Sequence, residues 1–287
     1  MKNKLYEIIL LFFTASWGLS FLLTKDVLRE LSIFNFLGLR FLLAFLCSGV
    51  IFFKSMKSLD MKTIKSSILA GSVLFLSFAF QTIGVDYSSA SKVAFITGLS
   101  VVLVPIFSSM IFKEKLSKSV WLGAILACMG LAMMTIEGMS FKLQLGDLAA
   151  LIGAVSFAIY MILVEHHTKK VNSINFAVLQ LGIVAAMSLI ISALSGGIEF
   201  PKETSSWVGL SILAIVCTSG AYIAQNILQR YISASKTALI YSTEPIFAGF
   251  FGVVIWHETM STMAIIGAVL IFSGMICTEI MGETVKN

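Results

Sequence analysis

The chain has 287 residues, of which 58% are hydrophobic and 12% charged, and its formal net charge is +5. Soluble domains hold about 25% charged residues, so this composition excludes an ordinary water-soluble globule. The basic residues are scattered in short clusters rather than gathered on one face, which offers no surface to nucleic acid.

Taken in chain order, there are ten apolar stretches: 5–24, 33–53, 64–84, 89–112, 118–136, 146–166, 174–195, 206–229, 234–256 and 260–281. Each approaches the ~20 residues that a helix needs to cross a hydrocarbon core of ~30 Å. Linkers of about a dozen residues at most leave no room for a soluble domain. The first stretch follows Lys2 and Lys4 as a signal peptide would. It runs on through Trp17, Phe21 and Leu23 with no small-residue cleavage site, so it is expected as a membrane helix. The expected fold is an all-α polytopic membrane protein with ten transmembrane helices. With the N-terminus inside, 14 basic residues fall in inner loops and five in outer ones, while Arg40 lies within helix 2. That asymmetry predicts both termini in the cytoplasm. Cys47, Cys128, Cys217 and Cys277 lie in separate stretches without a Cys-x-x-Cys pair, so no disulfide or metal site is expected.

The chain repeats itself. Residues 81–134, moved forward by 144 positions without a gap, match 225–278 at 17 of 54 positions. Gln81-x-Ile83-x3-Tyr87-x-Ser89-Ala90-Ser91-Lys92-x-Ala94 returns as Gln225-x-Ile227-x3-Tyr231-x-Ser233-Ala234-Ser235-Lys236-x-Ala238. Glu114-x2-Ser117 and Gly123-Ala124…Gly130 return as Glu258-x2-Ser261 and Gly267-Ala268…Gly274. At an offset of 140, Ser16-Trp17-Gly18 answers Ser156-Phe157-Ala158. Five helices per half is an odd number, so the halves, 1–140 and 141–287, are expected as inverted repeats about an axis in the membrane plane.

These residues resemble a known family. Trp17-Gly18 in helix 1, Arg40-Phe41 in helix 2, Ser-Ala-Ser-Lys opening helices 4 and 9, Glu244-Pro245 in helix 9, and Glu-x2-Ser before a glycine-bearing last helix are similar to the EamA family of the drug/metabolite transporter superfamily. The resemblance covers the whole chain in two copies. It implies a bacterial inner-membrane permease of ten helices for small polar or amphipathic metabolites, with a cavity lined by helices 1, 3, 4, 6, 8 and 9. Glu244-Pro245 aligns with Ser100-Val101, whereas the first half has its proline at Pro105, so the halves differ at their expected kinks.

Polar groups facing lipid are costly, so polar stripes should point inward. Helix 1 offers Trp17, Ser20, Phe21 and Thr24; helix 3 offers Ser77 and Gln81; helix 6 offers Ser156 and Tyr160. Helix 8 carries Ser219, Tyr222, Gln225, Asn226 and Gln229, and helix 9 carries Thr237, Tyr241 and Glu244. These are the candidate substrate-binding residues, and the same groups also serve to bond helices together. Trp17 is mid-helix, where its indole N–H needs a partner or a ligand. Glu244, about 12 Å into helix 9, should be protonated, paired or facing water, and it is the candidate for a substrate amine or a coupling proton. Arg40, roughly 10 Å deep, is expected to snorkel outward or pair with a carboxylate. Lys92 and Lys236, each opening a helix at opposite mouths, are candidate gates or attractors of anions. Gly123/Gly130 and Gly267/Gly274 predict a close-packed face, within the chain or in a homodimer through helices 5 and 10. Glu165-His166-His167 lacks His-Glu-x-x-His spacing and reads as a solvated turn.

No P-loop motif is present, so a proton or substrate gradient must drive the leading reading, a secondary carrier that exports a small amphipathic metabolite such as an amino acid. The alternative is a flippase for a lipid-linked sugar or phospholipid on the same fold. Intramembrane catalysis finds none of its motifs here, so no enzyme and no cofactor is expected.

Overall fold

The computed structural model describes residues 2–88, 90–113, 116–135, 144–256 and 261–282. The side chains of Phe21 and Lys92, the residues Glu114 and Glu258, and the 140/141 boundary of the halves lie outside the described residues. All described regular structure is helical: α1 (Lys2–Val27), α2 (Ile33–Ile51), the short α3 (Phe53–Met56), α4 (Met61–Tyr87), α5 (Ala90–Gly98), α6 (Ser100–Phe112), α7 (Lys118–Thr135), α8 (Leu145–Thr168), α9 (Ser173–Ser195) and α10 (Thr204–Ala214). A π-helical turn (Ile215–Gly220) then leads into α11 (Ala221–Leu228), followed by α12 (Ala234–Tyr241), α13 (Glu244–Trp256) and α14 (Thr262–Gly282). In hydrocarbon every backbone N–H and C=O must be satisfied within its own segment, which selects helices for apolar runs of this length. Six segments are long and apolar enough to span: Ile33–Ile51, Met61–Tyr87, Val93–Phe112, Leu145–Thr168, Ser173–Ser195 and Thr204–Leu228. Apolar side chains are among the most exposed, Val50 at 78% and Leu194 at 83%, which suits a surface facing lipid rather than water.

Local chemistry sets the helix ends. Asp60 caps α4 through the Thr63 N–H at 2.5 Å, and Asn172 caps α9 through the Ile174 and Asn175 N–H groups. Ser233 caps α12 through the Lys236 N–H, and Gln144 with Asp147 forms a capping box on α8. One cap is supplied from elsewhere in the chain. The Glu30 carboxylate, between α1 and α2, accepts from the Ser206 hydroxyl (2.6 Å) and from the Lys202 and Glu203 N–H groups (2.8 and 3.2 Å) at the start of α10.

Two of the expected stretches, each with a proline marking an expected kink, are divided into two helices. Stretch 89–112 breaks between α5 and α6 at Leu99, and stretch 234–256 breaks between α12 and α13 at Ser242–Thr243. At both breaks the ladder tightens to i+3: Val102 N–H donates to Leu99 C=O at 2.9 Å, and Ile246 N–H donates to Thr243 C=O at 3.0 Å. Pro245 has no N–H for the Tyr241 carbonyl one turn back, which accounts for the second break. Thr243 is Leu99 moved by 144 positions, so the two breaks fall at matching places.

The core pairs α4 with α8, α2 with α9 and α7 with α14, while α1 lies against α10, α12 and α13. Small residues let these backbones approach. A Cβ on Gly18 of α1 would stand 2.7 Å from the Ala248 nitrogen of α13. Between α7 and α14 the four glycines interlock. A Cβ on Gly274 would stand 2.7 Å from the Gly123 carbonyl oxygen, and one on Gly267 would stand 2.5 Å from that of Gly130. These glycine faces are therefore used within the chain, and a homodimer through the same two helices would have to use their outward faces.

Gly267→Ala forces a methyl onto backbone and should destabilise the fold by about 1–3 kcal/mol. Thermal unfolding in detergent will show a lowered midpoint, whereas Gly49→Ala, with nothing within 4 Å of the added Cβ, will not. Its hydrogen bonds, chiefly that from Ser206, hold the Glu30 carboxyl below its ordinary 4.5. Because the folded value is depressed, the carboxylate stabilises the fold at neutral pH and loses that effect as pH falls through the folded value. The gap in melting point between wild type and Glu30→Gln should accordingly close below pH 4.5.

Candidate functional site

The site is built around Tyr222 of α11. Its ring lies 5.8 Å from Trp17 (α1), 6.0 Å from Tyr160 (α8), 5.9 Å from Phe78 (α4) and 6.5 Å from Phe41 (α2), centroid to centroid. Tyr241, the last residue of α12, meets Trp17 edge-on at 4.7 Å. Six helices thus contribute to one aromatic cluster, through edge-to-face and tilted contacts that suit ring quadrupoles.

The π turn before α11 holds this cluster. Trp17 Nε1 donates to the Cys217 carbonyl at 2.6 Å, so the mid-helix indole has a protein partner. Thr218 Oγ1 donates to the Leu213 carbonyl, five residues back, at 2.8 Å and accepts from Arg40 Nε at 2.7 Å. Arg40 does not snorkel. It is 6% exposed, and its guanidinium lies over the rings of Phe36, Phe41 and Phe78 at 5.8, 5.9 and 5.5 Å. Three aromatic faces and a hydroxyl hold a cation where reaching the interface would empty the core. Glu244 sits within electrostatic reach of Arg40, with no direct ion pair between them.

Glu244 opens α13, so it stands at a helix break rather than inside a continuous helix. Its side chain is only partly buried, and among the described residues it makes no hydrogen bond. Beside it, the buried Tyr241 hydroxyl has no hydrogen-bond partner among the described residues, and neither do Gln180 Oε1 and Gln225 Oε1. A buried polar atom left so costs about 1–3 kcal/mol unless water or a ligand meets it. A carboxylate and a phenol beside stacked rings form a place for a ligand with a cationic or hydrogen-bonding group and an apolar body.

The other candidates divide. Asn226 donates to Tyr160 Oη (3.3 Å) and to the Tyr222 carbonyl (2.7 Å), and it accepts from Gln180 Nε2 (3.1 Å). Gln225 donates to Gln229, and Gln229 donates to the Met161 carbonyl. These form a buried polar chain beside the aromatic cluster and act largely as interhelical bonds. Ser20 is spent on the Trp17 carbonyl within its own helix. Gln81 lies at the crossing of α4 and α8, 3.0 Å from where a Cβ on Gly153 would stand, and no hydrogen bond joins it to the cluster among the described residues. Lys236 is far along at one end of the bundle, with Nζ 2.5 Å from Glu7 Oε1. Phe21 and Lys92 fall among side chains outside those described. Glu165 ties α8 to α12 by accepting from the Ala234 N–H at 2.7 Å, and no metal-binding group of three is found among the described residues.

Sequence reasoning missed Thr218, Gln180, Phe41 and Phe78 as members of the site. Gln180 and Thr218 were polar residues inside apolar stretches, which was a usable signal. Phe41 stands in the Arg40-Phe41 pair of the family pattern, whereas Phe78 carried no signal.

Thr218→Val removes the acceptor of Arg40 Nε at constant shape and strands a buried charged donor. Thermal unfolding should show a loss of about 1–3 kcal/mol, whereas Thr218→Ser, which keeps the hydroxyl, should lie near wild type.

Comparison with known proteins identifies the family and the fold. The model of the EamA-like transporter family matches residues 4–136 and again 144–279. A protein of Archaeoglobus fulgidus named "Uncharacterized transporter" is 30% identical over 264 residues, which span 92% of this chain and 82% of its own. "Uncharacterized transporter YcxC" of Bacillus subtilis is 28% identical, with 92% and 89% of the two chains covered. A solved structure described as "Crystal structure of protein" superposes with a TM-score of 0.82 at 17% identity, over 100% of this chain and 99% of its own, which shows a shared fold. With both halves matched by the same family model and its relatives named as transporters rather than enzymes, the chain belongs to the EamA-like transporter family.

Proposed function

We propose that the protein is a secondary carrier that exports a small amphipathic metabolite, of the amino acid kind, by alternating access. The reading places ten spanning helices in the cytoplasmic membrane with both termini in the cytoplasm, arranged as two inverted five-helix halves. The observation that carries it is the meeting, at the aromatic cluster, of a broken helix, the Glu244 carboxylate and the unpartnered Tyr241 hydroxyl. Substrate sites of carriers built from repeats lie at such discontinuous helices. Trp17, Tyr222 and Tyr241 supply faces for the apolar part or the ammonium of the substrate. Glu244 exchanges a proton for that ammonium, which couples transport to the proton gradient.

The inversion draws support from how the halves touch. Gly123 meets Gly274, the copy of Gly130, and Gly130 meets Gly267, the copy of Gly123. That reciprocity is what a two-fold axis between two copies requires. Helix pairs follow the same rule: α4 packs on α8 as α1 packs on the span of α10 and α11. The breaks at Leu99 and Thr243, being equivalent positions, are the hinges about which each half rocks.

The test is thermal stability of detergent-purified protein against amino acids, nucleosides, sugars and phosphorylated compounds. A ligand at 100 times its Kd adds about 2.7 kcal/mol to the folded state. Amphipathic amines should give this shift, Glu244→Gln should abolish it and Tyr241→Phe should weaken it. In proteoliposomes, substrate-driven proton movement should vanish in Glu244→Gln. Shifts that persist in both variants would overturn the assignment, and stabilisation by a polyprenyl-linked sugar or phospholipid alone would move it to a flippase.

A further inference from the structure

A cavity of about 300 Å³ opens between α1, α12 and α14, lined by Lys4, Glu7, Leu11, Lys236, Leu239 and Met275 among others. Among the described residues its charged lining groups are two ammoniums and one carboxylate, and the remaining wall is largely aliphatic. Thr278 also reaches the lining, but its hydroxyl already donates to the Ser119 and Gly274 carbonyls. A ligand there therefore meets both charged groups and hydrocarbon. Ile8 and Ile276 of the same wall are 62% and 50% exposed, so the mouth is rimmed by side chains that suit acyl chains rather than water.

We propose that this cavity binds the headgroup of an anionic phospholipid, with Lys236 and Lys4 holding the phosphate and Leu11, Leu239 and Met275 taking the first carbons of the tails. Lys236 Nζ is 2.5 Å from Glu7 Oε1, with the two side chains 29% and 18% exposed. The pair is thus within reach of a ligand yet screened from bulk salt. A phosphate entering here competes with Glu7 for Lys236. Lys4 has no ion-pair partner among the described residues, so the excess positive charge selects an anion over a neutral or zwitterionic headgroup. The same ion pair ties α1 to α12, and α12 ends at the break before Glu244. An occupied cavity loosens that tie, which makes the lipid a modulator of the movement at the break. The site itself stands on its own lining and does not depend on which substrate the central cluster takes.

The experiment titrates delipidated protein in neutral detergent with phosphatidylglycerol, using phosphatidylcholine as comparator, and reads bound lipid by native mass spectrometry. Phosphatidylglycerol should bind preferentially. Lys236→Gln and Lys4→Gln should each weaken it about fivefold, the worth of one lysine at an anionic surface. Glu7→Gln should strengthen it, because a negative charge facing the phosphate is removed from the lining. A Glu7 acting only as a structural tie would give the opposite sign, and equal binding of the two lipids would also overturn the proposal. Should the charge variants fail to fold, Met275→Trp narrows the cavity without changing charge, and undiminished phosphatidylglycerol binding there would refute the site. Decyl phosphate binding in the absence of any phosphatidylglycerol binding would show a soluble amphiphile site and overturn the lipid assignment.

Discussion

A guanidinium inside a bilayer-spanning bundle has to be solvated by the protein itself. Removing such a charge from water costs several kcal/mol even after relaxation, and the surroundings of Arg40 are shaped by that cost. One donor goes to Thr218, three phenylalanine rings present their faces, and the Glu244 carboxyl group lies within electrostatic reach. Each of these solutions makes a further demand. Thr218 must point sideways out of its helix, the rings of α2 and α4 must turn toward one another, and α13 must begin where it does.

The π turn at Ile215–Gly220 meets the first demand. Its i+5 ladder widens the helix, so that Thr218 bonds back to Leu213 while facing Arg40, and the neighbouring Cys217 carbonyl receives the Trp17 indole. Two large side chains from separate spans are thereby anchored to adjacent residues. Tyr222, one turn further on, then packs against four rings at once. The aromatic cluster is less an independent pocket than the outer layer of a solvated charge.

Much of this was legible in the sequence because lipid imposes simple rules. Apolar length located helices, six segments of which, among the described residues, are long and apolar enough to span, and the cost of polar groups in hydrocarbon singled out Trp17, Tyr160, Tyr222, Tyr241, Asn226 and Glu244, all of which lie at or beside the cluster. The failures have a common cause. Whether Arg40 reaches outward or stays buried depends on what three other helices place over it, and no periodicity within α2 records that. A π turn needs one residue's worth of slippage that Ile-Val-Cys-Thr-Ser-Gly does not announce. The break at Thr243 had Pro245 as its signal, but the matching break at Leu99 precedes Pro105 by six residues and had none.

The interlocked glycines of α7 and α14 constrain how such a chain can evolve. Each glycine faces the duplicate of its neighbour seven residues away, not its own duplicate. A bulkier residue in one copy therefore meets resistance at a non-equivalent position of the other, and compensation has to cross from one half to the other. After the duplication the two halves were free to drift apart over most of their length. At this seam the contact itself ties the two halves, so covariation between descendants should run crosswise rather than between equivalent positions.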